Sequence, residues 1–194
     1  MNNFFPEFSI IKGETVLDIG AHHGIFTINL ADMGAKVHSF EPNPMSLEII
    51  KKNISINSFI TDPIINNYAV TSNKNQSVDF DLGVRSTAGS IKTFKHDQLQ
   101  SGKKIKVKTI NIDNYILNNR LNHIKFLKMD CEGAEYDIFK SSEEIYNIKY
   151  LIVEAHETSK NKPGDLIRDL NRNGYKINKV KANYGAYELY CKKF

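Results

Sequence analysis

The sequence has only two cysteines in 194 residues, Cys131 and Cys191. They stand far apart, without a Cys-x-x-Cys spacing, which argues against a disulfide framework and against a zinc site. Also lacking is any apolar run near the roughly 20 residues that a membrane-spanning helix needs. The opening MNNFFPEFSIIKGE has no basic segment followed by an apolar stretch and a small-residue cleavage site. No secretory signal is therefore expected, and the expected location is the cytoplasm. Neither sign of charge dominates, since 26 Lys and Arg against 22 Asp and Glu leave a net +4. The lysines are scattered apart from SGKKIKVK and a terminal CKK. Such runs are ordinarily solvated surface, so nucleic acid is not an expected partner. No internal repeat, low-complexity tract or linker interrupts the chain, and its length suits a single domain over 1–194 better than two.

What the chain does have is alternation. Hydrophobic residues at 41% and charged residues at 25% are ordinary for a globular protein. Strand-length runs recur as TVLDI, AKVHSF, DPIINNYAV, IKFLKM and YLIVEA, most of them continuously apolar as in strands buried on both faces. Between the first two, GIFTINLADMG carries apolar residues at Ile25, Phe26, Ile28, Leu30 and Met33 and stops at Gly34, a helix signature. A second helix is expected in MSLEIIKKNISIN, with Pro44 suited to its first turn. Strand and helix in alternation predict an α/β fold whose parallel sheet is covered by helices on both faces. Residues 72–110 break the rhythm. There SVDFDLG and KIKVKTI alternate like half-exposed strands around VRSTAGSIKT, a hairpin or loop insertion that either contacts substrate or decorates an edge. After YLIVEAHE, a helix from about Pro163 to Asn173 precedes YKINKV and AYELYCKKF, which read as a closing antiparallel pair.

The stretch VLDIGAHHGIF, residues 16 to 26, sets an acid directly before a glycine-containing bend. In doubly wound sheets, ligands bind outside the carboxyl ends of the strands, at such a turn. Gly20 lets the backbone turn and come close to a ligand, and Gly24 opens the next helix. Asp18 would repel a pyrophosphate but pair with a positive group, which favours an ammonium-bearing cofactor over a dinucleotide. The spacing also departs from Gly-x-Gly-x-x-Gly. Glu41, in HSFEPNP at the end of the second strand, is placed to accept hydrogen bonds from both ribose hydroxyls. Singly, Asp18 could cap a helix and Glu41 could be a solvated loop acid; together, in these places, they point to a cofactor. His22 and His23 invite a metal reading, but neighbouring turn residues point apart and no third ligand follows at metal spacing. Packing on the backbone or touching the ligand is the expectation for both.

The second half of the site is FLKMDCEGAEYDIF. Asp130 falls at the carboxyl end of the strand IKFLKM, on the same rim as Asp18 and Glu41 if the sheet is parallel. Gly133 frees the backbone to aim Asp130 and Glu132 at a cleft, whereas Glu135 reads as an acid favoured by a helix start. One strand later, IVEAHE places Glu154 and His156 on one side, with His156 a candidate general base. A divalent ion among Asp130, Glu132, Glu154 and His156 is conceivable, since oxygen-rich sites suit magnesium or manganese.

The pieces VLDIGAHHGIFT, HSFEPNP, KKNISIN, STAGSI, IKFLKMDCEGAE and IVEAH, in this order over residues 16 to 156, resemble the FkbM-like family of S-adenosylmethionine-dependent methyltransferases. KMDCEGAE is the most specific of them. The resemblance implies a Rossmann-like class I methyltransferase fold with a mostly parallel seven-stranded sheet and one antiparallel strand near the carboxyl end. It implies that Asp18, Gly20, Ala21, His22 and Gly24 line the methionine part of the cofactor and that Glu41 takes the ribose. Pro42, Asn43 and Ala69 would complete the cofactor site, with Asp130 and Glu132 near the donor methyl. His22 stands where the family commonly has asparagine, and Phe26 where it often has tyrosine. The implied activity is methylation of a hydroxyl on a small molecule, sugar or natural product, with Asp130, Glu132 or His156 supplying or supporting the base.

Two alternatives remain at this point. An RNA methyltransferase of the same fold shares the EPNP and NISIN pieces, but its Asn-Pro-Pro turn is replaced here by DCEG. A non-catalytic cofactor-binding protein is the other. A nicotinamide dehydrogenase ranks below both because Asp18 is unsuited to pyrophosphate.

Overall fold

Val16, Leu17 and Ile19 are all buried, so the first strand has to be sandwiched from both sides. The computed structural model describes residues 9, 12–59, 61–72, 76–83, 89–91, 103–181 and 186–194, and it places this strand, β1 (Thr15–Ile19), at the centre of a seven-stranded sheet. It pairs in parallel with β2 (Lys36–Phe40) on one side and with β7 (Ile124–Met129) on the other. β3 (Ile64–Asn66) continues the sheet beyond β2, and β8 (Tyr150–Ala155) continues it in parallel beyond β7. β10 (Tyr187–Lys193) then runs antiparallel to β8, and β9 (Tyr175–Lys181) antiparallel to β10. The order is β3-β2-β1-β7-β8-β10-β9, with β10 alone running against the rest. The expected class I arrangement is present.

The helices α1 (Ile25–Asp32), α2 (Pro44–Ser55), α3 (Ile112–Asn118), α4 (Glu135–Ser141) and α5 (Pro163–Arg172) connect the strands, with a 3-10 turn at Glu144–Asn147 before β8. Alternation along β1 divides the core. Val16 packs with Leu30, Ala31, Val37 and Phe126 on one face, while Leu17 and Ile19 pack with Phe40, Leu127, Met129 and Ile138 on the other. The helices start where their sequences predict. Gly24 is the N-cap of α1, and Asn43 caps α2 ahead of Pro44 in the first turn. The order in which strands join the sheet reverses at β1, with β2 and β3 added on one side and β7 and β8 on the other, and this is the switch point where doubly wound folds open a ligand crevice.

The run DPIINNYAV, read as one strand, is two. β3 belongs to the main sheet, whereas β4 (Ala69–Val70) pairs with β6 (Lys104–Ile110) in a separate three-stranded sheet, β4-β6-β5. The break lies at Asn67 and Tyr68, where the Asn67 side-chain amide turns away to donate to the carbonyls of Glu41 and Pro42. β5 (Ser77–Asp81) and β6 form the expected antiparallel pair of the insertion. Most of VRSTAGSIKT lies outside the described residues, but Ser90 bridges to Asp81. Among the described residues both cysteines are free thiols, and no helix is long and apolar enough to cross a membrane.

Candidate functional site at the strand rim

Gly20 ends β1 at φ +80°, and a Cβ there would lie 1.7 Å from the carbonyl oxygen of Asp130. Only glycine lets the bend rest directly on the end of β7. The amides of Gly20 and Ala21 both donate to the carbonyl of Phe40, at 2.9 and 3.0 Å, which joins the bend to β2. Behind it Asp18 is fully buried. Its Oδ2 accepts from Thr27 Oγ1 at 2.6 Å, and Thr27 lies 2.6 Å from Ser39 Oγ on β2. Its Oδ1 has no hydrogen-bond partner and lies 3.7 Å from Lys128 Nζ. Burial raises the Asp18 pKa against the lowering effect of Lys128. Lys128 itself donates to the Gly20 carbonyl at 2.7 Å and sits 3.6 Å from Asp130 Oδ2.

His22 and His23 do not point apart as expected. The positive φ of His22, 50°, turns its side chain back, so the rings stack at a centroid distance of 3.6 Å. Burial, ahead of the neighbouring His23 and Lys128 charges, lowers the His22 pKa. The His22 amide donates to Glu41 Oε2 at 2.8 Å, and the Asn43 amide to Glu41 Oε1 at 2.8 Å. Glu41 therefore joins the bend to the start of α2. Its own burial pushes its pKa up to about 7, against the lowering effect of those two amides. Asn43 spends its side-chain oxygen on capping, accepting from Met45 N at 3.0 Å. Pro42 lines a cleft of about 330 Å³ with Pro44, Asn67, Tyr68 and the β6 residues from Ile105 to Lys108. Ala69 is packed beneath this region with Phe80 and Val107.

The acidic motif converges on His156, at the end of β8. Its Nδ1 lies 3.1 Å from Glu135 Oε1, and its Nε2 faces Glu132 Oε2 at 3.3 Å, Glu154 Oε1 at 3.6 Å and Asp130 Oδ1 at 3.9 Å. Burial alone would lower the imidazole pKa, but the carboxylates, Glu135 foremost, push it up to about 10. At neutral pH it is an imidazolium among acids. Glu132 adopts φ 52°, uncommon for a residue with a Cβ. Burial, opposed by His156 and reinforced by Asp130, Glu135 and Glu154, pushes its pKa up to about 8. The insertion reaches this point, because Ser90 Oγ donates to the Glu132 carbonyl at 2.6 Å. Asp130, Glu132 and His156 each offer one ligand atom within 4.8 Å of the others, a mixed oxygen and nitrogen set that magnesium or manganese would accept.

Two residues of the rim escaped the reading of the sequence. Lys128 was hidden within an apolar run, although a lysine inside a buried strand, two positions before Asp130 and on its face, is itself a signal. Glu135 does open a helix as expected, but it is also fully buried. Its Oε1 accepts from the amides of Cys131 at 2.9 Å and Gly133 at 3.2 Å besides meeting His156.

Residues 18–177 match the model of the methyltransferase FkbM domain. The mitochondrial ubiquinone biosynthesis O-methyltransferase of Schizosaccharomyces pombe is 35% identical over 66 residues, which are 34% of this chain and 22% of that enzyme. The chain thus matches about a fifth of that relative's length. A putative rRNA methylase from Clostridium thermocellum superposes with a TM-score of 0.61 at 11% identity, covering 100% of this chain and 93% of the other. M. capricolum TrmK, solved with S-adenosyl-homocysteine, gives 0.57 at 12% identity, covering 99% and 66%. These two likenesses are likenesses of fold.

Proposed function

This chain belongs to the FkbM methyltransferase family, and from that premise we propose that it transfers the methyl group of S-adenosylmethionine to a hydroxyl oxygen of a small molecule, sugar or natural product. The observation that carries the reading is the convergence of Glu41, the Asp18–Gly24 bend and the Asp130–Glu132 turn at the carboxyl ends of three adjacent parallel strands. The residues present fit the cofactor. Each Glu41 oxygen accepts one backbone amide, and an ionised carboxylate has about four acceptor positions, so two remain for ribose hydroxyls. The Pro42 and Asn67 cleft beside it offers room for the base. Gly20 brings the bend close, and Asp130, part-exposed on the rim, supplies the negative charge that a positively charged ligand needs.

When bound, the cofactor supplies a methyl carbon already activated by its sulfonium. The protein's task is to align an acceptor oxygen with it and to remove a proton. Glu132 suits the second task. Its carboxyl group titrates at about 8, near the operating pH where general bases work best. His156, which holds its proton, is a positioning residue that orients Glu132 rather than the base. Ser90 fixes the Glu132 carbonyl, so the insertion lies where acceptor specificity would be set. The test is incubation with methyl-labelled S-adenosylmethionine and panels of hydroxylated small molecules, tRNA and rRNA. Label in a hydroxylated compound supports the reading. Transfer to RNA alone moves the acceptor class, and binding without transfer to anything supports a non-catalytic role.

A further inference from the structure

Lys128 is a cation on the rim, in ion-pair range of Asp18 and Asp130, that the proposed chemistry does not use. An ammonium has three donors, and the described hydrogen bonds of Lys128 use one, to the Gly20 carbonyl at 2.7 Å. The carboxylate oxygens of Asp18 and Asp130 lie at 3.7 and 3.6 Å, beyond ordinary hydrogen-bond length. The side chain is only 18% exposed and lies in ion-pair range of both acids. Mostly buried ammonium donors in folded proteins ordinarily sit within hydrogen-bond length of an acceptor, which an arriving anionic group can supply here. Its position narrows what that partner is. The ammonium lies on the glycine bend, between the two rim acids, and its charge acts on Asp18, His22, Glu41, Cys131 and Glu154 alike. It is a central positive charge of the rim.

We propose that Lys128 binds the α-carboxylate of the cofactor's amino-acid end, so that the site reads a complete zwitterion: Lys128 takes the carboxylate, and Asp130 with the Gly20 carbonyl takes the amino group. This rests on the cofactor reading above. Asp18, immobilised by Thr27, then serves as the buried counter-charge that keeps Lys128 protonated and aimed at the bend. Lys128 is thereby a specificity-determining residue, selecting ligands that keep the carboxylate over nucleosides that have lost it.

The experiment is calorimetric titration of the full chain with three ligands: S-adenosylhomocysteine, its decarboxylated analogue and its deaminated analogue. Wild-type protein should bind the decarboxylated analogue at least about tenfold more weakly than S-adenosylhomocysteine, as expected for losing a hydrogen bond to a charged group. Lys128→Gln should abolish that preference by weakening S-adenosylhomocysteine and the deaminated analogue about tenfold while leaving the decarboxylated one unchanged. Unchanged binding of that analogue also shows that the variant is folded. Lys128→Arg should recover part of the preference. Three results overturn the proposal: no carboxylate preference in the wild type, a preference retained in Lys128→Gln, or equal losses for all three ligands. If the wild type binds none of them, the cofactor reading itself fails and this inference with it.

Discussion

Three glycines with nearly the same backbone angle face very different surroundings, which separates conformational cost from steric cost. Gly13, Gly20 and Gly24 sit at φ +89°, +80° and +79°. An added Cβ meets nothing within 4 Å at Gly13, the Ile50 side chain at 3.2 Å at Gly24, and the Asp130 carbonyl oxygen at 1.7 Å at Gly20. Gly13→Ala should therefore cost only the left-handed backbone penalty, about 1–2 kcal/mol. Gly24→Ala should cost slightly more, because an isoleucine side chain has some room to give. In Gly20→Ala the obstacle is the backbone of β7, which has to move by more than an ångström. Overpacking of that kind adds about 1–3 kcal/mol, occasionally more, for a total of about 2–5 kcal/mol. At about 2–4 °C per kcal/mol for a chain of this size, Gly13→Ala should lower Tm by a few degrees and Gly20→Ala by about 10 °C. The moved strand end also carries Asp130, so Gly20→Ala should lose S-adenosylhomocysteine binding in calorimetry while Gly13→Ala retains it. A Gly20→Ala protein no less stable than Gly13→Ala, with binding intact, would refute the claim that the bend must lie against β7.

Glu132→Gln should lower turnover about 10²–10⁴-fold, the range for loss of a general base, with S-adenosylhomocysteine affinity unchanged; undiminished turnover would assign the base elsewhere. Because the Glu132 pKa is raised to about 8 and the ionised form is the base, wild-type turnover measured in chelator should rise as pH rises through about 8 and then level off. Glu41, pushed up to about 7, accepts ribose hydroxyls best when ionised, so cofactor affinity should weaken as pH falls below about 7, and Glu41→Gln should remove that dependence. The His156 pKa is raised to about 10 from an ordinary value near 6.5. Its stabilisation is fully present below the unfolded value and is lost as pH rises through about 10. His156→Gln leaves buried acids unpaired and should cost about 3–5 kcal/mol, a deficit relative to wild type that should shrink in alkaline unfolding experiments.

The sheet centre and the turns that form the two ends of the proposed cofactor site were legible because they depend on local signals. Val16, Leu17 and Ile19 announce burial on both faces, Gly20 and Gly24 mark a turn, and Glu41 follows the second strand. The acids after β7 were legible for the same reason. What could not be read depends on distant partners. DPIINNYAV divides because Asn67 bonds to carbonyls 26 and 25 residues away, which no pattern within the run records. Glu135 looks like any acid at a helix start until its contact with His156, 21 residues on, is known. That same contact and its neighbours make His156 an imidazolium. The histidine pair stacks because of one backbone angle at His22, and two of the three partners of Lys128, Asp18 and the Gly20 carbonyl, lie on β1 and its bend, outside its own strand.

In the proposed site one nucleoside spans Glu41 and the glycine bend. A crystal structure with S-adenosylhomocysteine tests it most directly. Ribose hydroxyls on the Glu41 carboxylate, with the sulfur beside Asp130 and Glu132, are the predicted result. Density for the ligand elsewhere on the molecule, with Glu41 untouched, would contradict it.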